Sequence, residues 1–346
     1  MNVPTLSPKV VLGRTPLNVL RMGMGGIPIQ RLSFEQSDRV LEKAVDQGIT
    51  FFDTARIYTD SESKMGRVLP RYRKQVVIAT KTFSRDGQSV EKDIDTSLSQ
   101  LKTDHIDLYQ CHNIASPEEL AKVLSADGAL EALVRAQKSG KIGHIGLSGH
   151  KPWIVEKAIE SFPFASIQIP FNYLETKALE RVIPLAQKNR IGVIAMKPVG
   201  GGNIREISLN FRFIFQNGID VAIPGMDSEE QVMENVAVLG ELAPVNLGET
   251  GRLEQEKSRL GDHFCRRCEY CMPCPQGLPI AFLHVMKNYY FLYDLKDWVL
   301  ERLKTLSRTY KDCTACRTCV SRCPYQLDSP AIFKKTWEAI RSDKGD

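Results

Sequence analysis

The stretch Thr50-Phe51-Phe52-Asp53-Thr54-Ala55-Arg56-Ile57-Tyr58 decides how this chain is read. Thr50, Phe51 and Phe52 suit a buried strand, and from Asp53 onward the chain turns polar and out toward solvent. In a parallel barrel, residues just past the C-terminal end of a strand face the mouth where ligands bind, so Asp53 and Tyr58 would be aimed at one substrate. Two further segments end in the same way. Val76-Val77-Ile78-Ala79-Thr80-Lys81 is apolar and β-branched until it stops at a lysine, and Ile106-Asp107-Leu108-Tyr109-Gln110-Cys111-His112 stops at a histidine.

Working outward, strand and helix alternate. Strands are predicted near 20–25, 50–54, 76–81, 106–112, 142–148, 165–171, 191–197 and 220–224, after a hairpin across 10–19. Helices are predicted between them at 61–72, 89–101, 117–139, 152–161, 176–189, 208–217 and 228–242. An earlier helix is opened by the capping box Ser33 and Gln36, carries Val40, Leu41, Ala44 and Val45 on one face, and ends at Gly48. Eight β/α units in about 245 residues make an α/β fold, a (β/α)8 TIM barrel. A doubly wound sheet would want a glycine-rich dinucleotide loop after its first strand. Gly23, Gly25 and Gly26 match no such fingerprint and read as tight packing at a strand end.

At 346 residues the chain has room for that barrel and an appendage, and its 42% hydrophobic and 25% charged content is that of an ordinary globular protein. No apolar run approaches the ~18 residues of a membrane span, and residues 1–13 lack the features of a signal peptide. The expected address is the cytoplasm, and no nucleic-acid partner is expected.

Asp53, Tyr58, Lys81 and His112 make a chemical set. A phenol with pKa near 10 is a poor proton donor at neutral pH, and a nearby ammonium stabilises its phenolate. Lys81 would supply that charge, with Asp53 fixing the lysine. Tyr58 would then protonate a carbonyl oxygen as hydride reaches its carbon, or take the proton back in reverse, while His112 orients and polarises the same oxygen. Taken singly, each has a plainer reading: a solvated strand end for Lys81, a satisfied rim group for His112, a helix cap for Asp53.

In these residues, and in Ile78-Ala79-Thr80-Lys81, Asp107-Leu108-Tyr109-Gln110-Cys111-His112, Gly146-Leu147-Ser148 and Ile223-Pro224-Gly225, the chain resembles the aldo/keto reductases over roughly residues 10–245. The resemblance implies that Asp53, Tyr58, Lys81 and His112 are catalytic, that the substrate is a small carbonyl or alcohol, and that NADH or NADPH binds across the barrel mouth. It places the nicotinamide carboxamide contacts at Ser148 and Gln168 and the adenine end at Glu234 and Asn235. The asparagine usual after the serine is Gly149 here, and the ring-stacking tyrosine is replaced near Met196. Where family members often hold a 2′-phosphate with a cation, this chain has Asp227, which would repel a phosphate and bond a ribose hydroxyl. Arg205 or Arg212 is the alternative phosphate ligand.

The last hundred residues differ in kind. Eight of the nine cysteines fall there: Cys265, Cys268, Cys271 and Cys274 at x2 spacing before Pro275, then Cys313, Cys316, Cys319 and Cys323 in the x2, x2, x3 pattern before Pro324. The second group is the bacterial ferredoxin pattern, so two 4Fe-4S clusters are expected rather than zinc or disulfides. By the crossing rule, one cluster takes Cys265, Cys268, Cys271 and Cys323, the other Cys313, Cys316, Cys319 and Cys274. The expected domains are the barrel at 1–246, a polar linker at 247–261 and a mostly helical ferredoxin-like dicluster domain at 262–346, with one helix over 280–309 whose Phe282, Val285, Met286 and Tyr289 form a small core. Cys111 reads as packing. The whole resembles an iron–sulfur branch of the family.

Charge separates the two parts as well. Residues 1–250 carry 29 Lys+Arg against 29 Asp+Glu, and residues 251–346 carry 17 against 12, so the entire +5 lies in the tail. These cations either offset the clusters or form a docking face for a ferredoxin- or flavodoxin-like electron carrier. Clusters move single electrons and nicotinamide a hydride, and no flavin site is evident to bridge them. Three functions stay open: an oxidoreductase whose clusters exchange electrons with the barrel site, an NAD(P)H-dependent carbonyl reductase with structural or oxygen-sensing clusters, and a non-catalytic electron-transfer or regulatory subunit.

Overall fold

The computed structural model describes residues 6–260, 265, 271–291, 293–323 and 325–344, the side chains of 259, 260 and 344 excepted. Two short strands, β1 (Lys9–Val11) and β2 (Asn18–Leu20), pair antiparallel with Val10 opposite Val19 and form the hairpin. The parallel sheet begins at β3 (Met24–Gly25). Helix α1 (Phe34–Asp46) follows, its Ser33 and Gln36 capping each other, and its Val40, Leu41 and Ala44 buried. The repeat continues through β4 (Phe51–Asp53), α2 (Ser61–Val68), β5 (Val77–Thr82), α3 (Gly87–Leu101), β6 (Ile106–Cys111), α4 (Pro117–Leu124), α5 (Ala129–Lys138), β7 (Ile142–Ser148) and α6 (Pro152–Ser161). It ends with β8 (Ser166–Pro170), α7 (Val182–Lys188), β9 (Gly192–Met196), α8 (Ile207–Gln216), β10 (Val221–Ile223) and α9 (Glu229–Ala237).

The eight strands β3 to β10 hydrogen-bond in chain order. The two ends of the sheet then meet: Met22 bridges Ala222 and Gly25 bridges Gly225 in parallel, and the Gly25 N–H donates to the Pro224 carbonyl at 2.9 Å. The sheet is a closed barrel. Phe51, Val77, Ala79, Leu108, Ile194 and Val221 form a separate cluster inside it, while Phe52, Ile78, Tyr109 and Cys111 belong to the larger core against the helices. Because side chains alternate along a strand, one pleat step beyond Phe51, Ala79 and Leu108 lie Asp53, Lys81 and Gln110. The interior is apolar until the C-terminal end, where it turns polar.

At Gly26, just after β3, only glycine fits. A Cβ there would stand 2.6 Å from the Ser61 hydroxyl and 3.0 Å from the Asp53 carbonyl. Instead the Gly26 N–H donates to the Asp53 carbonyl at 2.7 Å, and Ser61 Oγ donates to the Gly26 carbonyl at 2.9 Å.

The helix expected over 117–139 is two helices. Ser125-Ala126-Asp127-Gly128 interrupts it, with Asp127 at φ +58° and Gly128 bridged to Asp86. Its turn chemistry outweighs the apolar periodicity on either side. Beyond the barrel, the polar segment expected as a linker is helix α10 (Leu247–Leu260), whose first turn is tied to α8 by Glu249, held by both terminal nitrogens of Arg212 at 2.7 and 2.9 Å.

The chain divides into two compact units: Met1–Gly200 with Ile204–Leu253, and Gly201–Asn203 with Glu254–Asp346. The second contains α11 (Ile280–Phe291), α12 (Lys296–Lys304), α13 (Thr318–Ser321) and α14 (Ser329–Lys344) around its own core of Leu283, Met286, Tyr290, Val299 and Phe333. The single helix expected over 280–309 is broken between α11 and α12, where Asp294 takes φ +50°. Of its expected core face, Met286 is buried and Val285 and Tyr289 pack partly against the core. Phe282 instead faces solvent, and Leu283 and Tyr290 fill the interior. Among the described residues no helix is long and apolar enough to cross a membrane.

Candidate functional site

At the C-terminal end of the barrel, strand alternation delivers three side chains to one point. Lys81 Nζ donates to Asp53 Oδ1 at 2.5 Å and to the Thr54 carbonyl at 2.7 Å. Both partners are almost completely buried. Gln110 Nε2 donates to Asp53 Oδ2 at 3.2 Å and to Gln168 Oε1 at 3.0 Å, joining β4, β6 and β8 in one polar layer. Burial pulls Lys81 below the ordinary lysine value, opposed by Asp53; burial likewise raises the Asp53 carboxyl, opposed by Lys81, Gln168 and Gln110. The pair therefore holds its proton in a low-dielectric pocket where either shift in charge is felt strongly at short range.

Tyr58 reaches this pair from the turn after β4. Lys81 Nζ lies 5.4 Å from the centroid of its ring, and the His112 ring meets it edge-on at 5.8 Å. The turn itself is held by Tyr58 N–H donating to the Ala55 carbonyl at 2.9 Å and Arg56 N–H to the Lys81 carbonyl at 3.0 Å. His112 is fixed through its backbone: its N–H donates to the Thr82 carbonyl, and Arg85 donates to its own carbonyl at 2.8 Å. Burial, then Lys81 and Arg85, push the imidazole well below its usual pKa, so the ring is neutral and carries one N–H to donate. The buried His112 Nδ1 and Gln110 Oε1 have no hydrogen-bond partner among the described residues. Orphaned buried polar atoms of this kind mark a place that accommodates a polar ligand.

The expected nucleotide contacts fall in separate places. Ser148 and Gln168 are register partners on β7 and β8 and both are buried. Ser148 Oγ accepts from the Asn113 N–H at 2.8 Å, which leaves its own O–H to donate, and Gln168 retains a second amide N–H. Asp227, after β10, pairs with Arg31 on the 3₁₀ turn Pro28–Arg31. Glu234 is exposed and Asn235 half-buried on α9. Of the alternative cations, Arg212 is occupied by Glu249 and by the Ala243 and Pro244 carbonyls.

Four residues of the mouth were not singled out from sequence. Gln110 bridges Asp53 and Gln168, and its signal was there: a polar residue two before His112 in an apolar strand. Phe83 is part-exposed with its ring 4.3 Å from that of His112. Arg31 holds Asp227, and Lys64, fully buried, donates to the Ile29, Gln30 and Leu32 carbonyls at 2.7–3.1 Å. Nothing local in the sequence announces those last two contacts. Cys111 faces the helices, and burial raises its thiol to about 12, which suits packing.

In the second unit, Cys274, Cys313, Cys316 and Cys319 line one small hollow together with Leu278, Ile280 and Phe333. These are the four that the crossing rule assigns to one cluster. Of the other set, Cys265, Cys271 and Cys323 are half-buried and Cys268 lies outside the described residues. Among the described residues no three His, Cys, Asp or Glu side chains are gathered tightly enough to hold a single metal ion.

A closed parallel barrel ending in a buried lysine–aspartate pair beside a tyrosine and a neutral histidine defines an oxidoreductase of the (β/α)8 class. The chain belongs to the aldo/keto reductase family, whose model matches residues 20–210, more than half of it; residues 264–328 match a 4Fe-4S dicluster domain. An uncharacterized oxidoreductase of Bacillus subtilis is 26% identical over 245 residues, covering 65% of this chain and 77% of that protein. L-galactose dehydrogenase of Arabidopsis thaliana is 25% identical over 297 residues, covering 71% and 92%. Among solved structures, an aldo-keto reductase from Bacillus halodurans in its holo form superposes with a TM-score of 0.65 at 21% identity, covering 72% of this chain and 96% of that one. One from Klebsiella pneumoniae in complex with NADP and acetate gives 0.62 at 21%, covering 72% and 95%. At that identity these two likenesses speak for the fold alone.

Proposed function

We propose that the barrel mouth interconverts a small carbonyl and its alcohol, with Tyr58 as proton donor, and that the cysteine-bearing unit passes electrons between this site and an external carrier. The observation that carries the first part is the placement of Lys81 Nζ, 2.5 Å from Asp53 and 5.4 Å from the Tyr58 ring. Asp53 holds the ammonium in place, and the ammonium stabilises the phenolate left when Tyr58 gives its proton to the substrate oxygen. Neutral His112 donates its N–H toward the same oxygen and orients it. Phe83, beside His112, offers an apolar wall to the carbon substituents of the substrate. Ser148 and Gln168, with donors to spare, would hold the carboxamide of NADH or NADPH, which when bound supplies hydride. Asp227, Glu234 and Asn235 are the residues proposed for its adenosine end, with the Asp227 charge already countered by Arg31.

The eight cysteines are proposed to hold two 4Fe-4S clusters, which when bound supply single electrons. The hollow lined by Cys274, Cys313, Cys316 and Cys319 supports this, since four thiolates around one space are the donor set a cubane takes. A second reading, in which the clusters are structural, is favoured by one observation: Cys271, Cys274, Cys313 and Cys319 pack against the small core of their own unit.

The test of the proton-donor role is Tyr58→Phe in reconstituted protein with a panel of aldehydes and ketones. Turnover should fall by about 10²–10⁴-fold while nucleotide binding is retained. Unchanged turnover would remove the basis for placing the chemistry at this mouth.

A further inference from the structure

We propose that the face of the second unit around Cys316 docks an acidic one-electron carrier protein, and that Lys311, Arg317 and Arg322 are the cations that meet it. This rests on reading Cys274, Cys313, Cys316 and Cys319 as the ligands of one cluster. Cys316 is the one exposed cysteine among those described, and Cys319, across the same hollow, is buried. The rest of the lining divides in the same sense: Leu278, Ile280 and Phe333 are buried, whereas Thr314 and Arg317 are exposed. A group held there has apolar packing behind it and one edge toward solvent. Ala315 at φ +55° and Arg317 at φ +59° flank Cys316, both in the left-handed region that costs a non-glycine residue energy. Electron transfer falls steeply with distance, so a carrier exchanging with this group must approach at Cys316.

The charge around that edge is one-sided. Residues 308–322 contain Arg308, Lys311, Arg317 and Arg322 against Asp312 alone. Asp312 is taken by Arg308 at 3.4 Å, and Asp328 reaches Arg317 at 2.9 Å. Lys311 and Arg322 have no carboxylate within ion-pair distance among the described residues, and Arg322 donates only to the Pro273 carbonyl at 3.0 Å. All four cations are exposed. A positive rim around a small electron port attracts a carrier with an acidic face, speeding encounter while the buried area stays small enough for quick release.

The experiment uses the full chain with clusters reconstituted and an acidic two-iron ferredoxin as the probe. Binding is followed by calorimetry at several salt concentrations, and cluster potentials by EPR-monitored redox titration. Lys311→Glu with Arg322→Glu should weaken ferredoxin binding by about tenfold or more and flatten its salt dependence. The matched pair Lys138→Glu with Lys188→Glu, on exposed positions of the barrel helices, should leave binding as in the wild type. Binding unaltered by the Lys311 and Arg322 changes would overturn the docking face. Shifted cluster potentials with unaltered binding would overturn it too, and assign the cations to balancing cluster charge. A wild-type protein that neither binds the ferredoxin nor exchanges electrons with it would overturn the carrier reading itself, ahead of any question of where docking occurs.

Discussion

Lys81 is the residue on which both the proposed catalysis and local stability turn. A lysine 1% exposed is tolerable only because Asp53 and the Thr54 carbonyl replace its water. Lys81→Met should therefore abolish turnover and also cost about 3–5 kcal/mol in denaturant unfolding, because it strands the Asp53 carboxylate in the barrel. A loss of activity with stability untouched would mean the pair is not buried as described. His284, in the second unit, makes a pH prediction. Its ring nitrogen shares a 2.8 Å hydrogen bond with Ser329, and burial lowers its pKa to about 3. The unfolded chain, with an imidazole near 6.5, takes up the proton first as pH falls. Stability is thus full above about 6.5 and declines toward about 3, by up to ~1.4 kcal/mol per pH unit. His284→Asn should flatten that slope between pH 6.5 and 5, and an identical slope in both proteins would refute the assignment. That Asp53, Lys81 and His112 stand at strand ends, with Tyr58 in the turn after one of them, was legible in sequence, and the structure brings the four together. His284 was not, since nothing nearby in the chain shows what α14 brings against it.

Elements were legible where periodicity was unopposed. All eight barrel strands can be placed from their apolar runs, three of which stop at Asp53, Lys81 and His112, and α1 from its cap. The errors lie where a short turn outweighs a long pattern, as at Asp127-Gly128 and at Asp294, whose positive φ values break helices that look continuous in sequence. The 3₁₀ turn Pro28–Arg31 is the element least visible beforehand, because what holds it is remote. Lys64 of α2 caps its carbonyls and pairs with Asp60 at 2.8 Å, Gln30 accepts from Thr59 beside Tyr58 at 3.0 Å, and Arg31 holds Asp227. Lys64→Met should free this turn and raise hydrogen exchange across 28–32 with little change elsewhere in the barrel. It should also raise the KM for nucleotide more than it lowers kcat, since the turn touches Asp227 but no reacting atom. Exchange unaltered at 28–32 would show that Lys64 is not the clamp.

At the scale of the whole molecule, the chain carries separate hydrophobic cores in its two units, with a buried lysine–aspartate pair in one unit and a cysteine-lined hollow in the other. The uneven placement of cysteine and charge pointed to such a division in the sequence, and the crossing rule had already grouped Cys274 with Cys313, Cys316 and Cys319, the four that line one hollow. The claim that joins the two units is that electrons from the clusters serve the carbonyl chemistry of the barrel. The most direct test is to photoreduce the reconstituted protein without oxygen, add a catalytic amount of NADP+ with aldehydes and ketones, and follow the EPR signal of the reduced clusters in wild type and in Tyr58→Phe. The account predicts carbonyl-dependent reoxidation in the wild type, slowed by about 10²-fold or more without the Tyr58 hydroxyl. Clusters that stay reduced in the presence of NADP+ and carbonyl, or reoxidation at equal rates in both proteins, would contradict it.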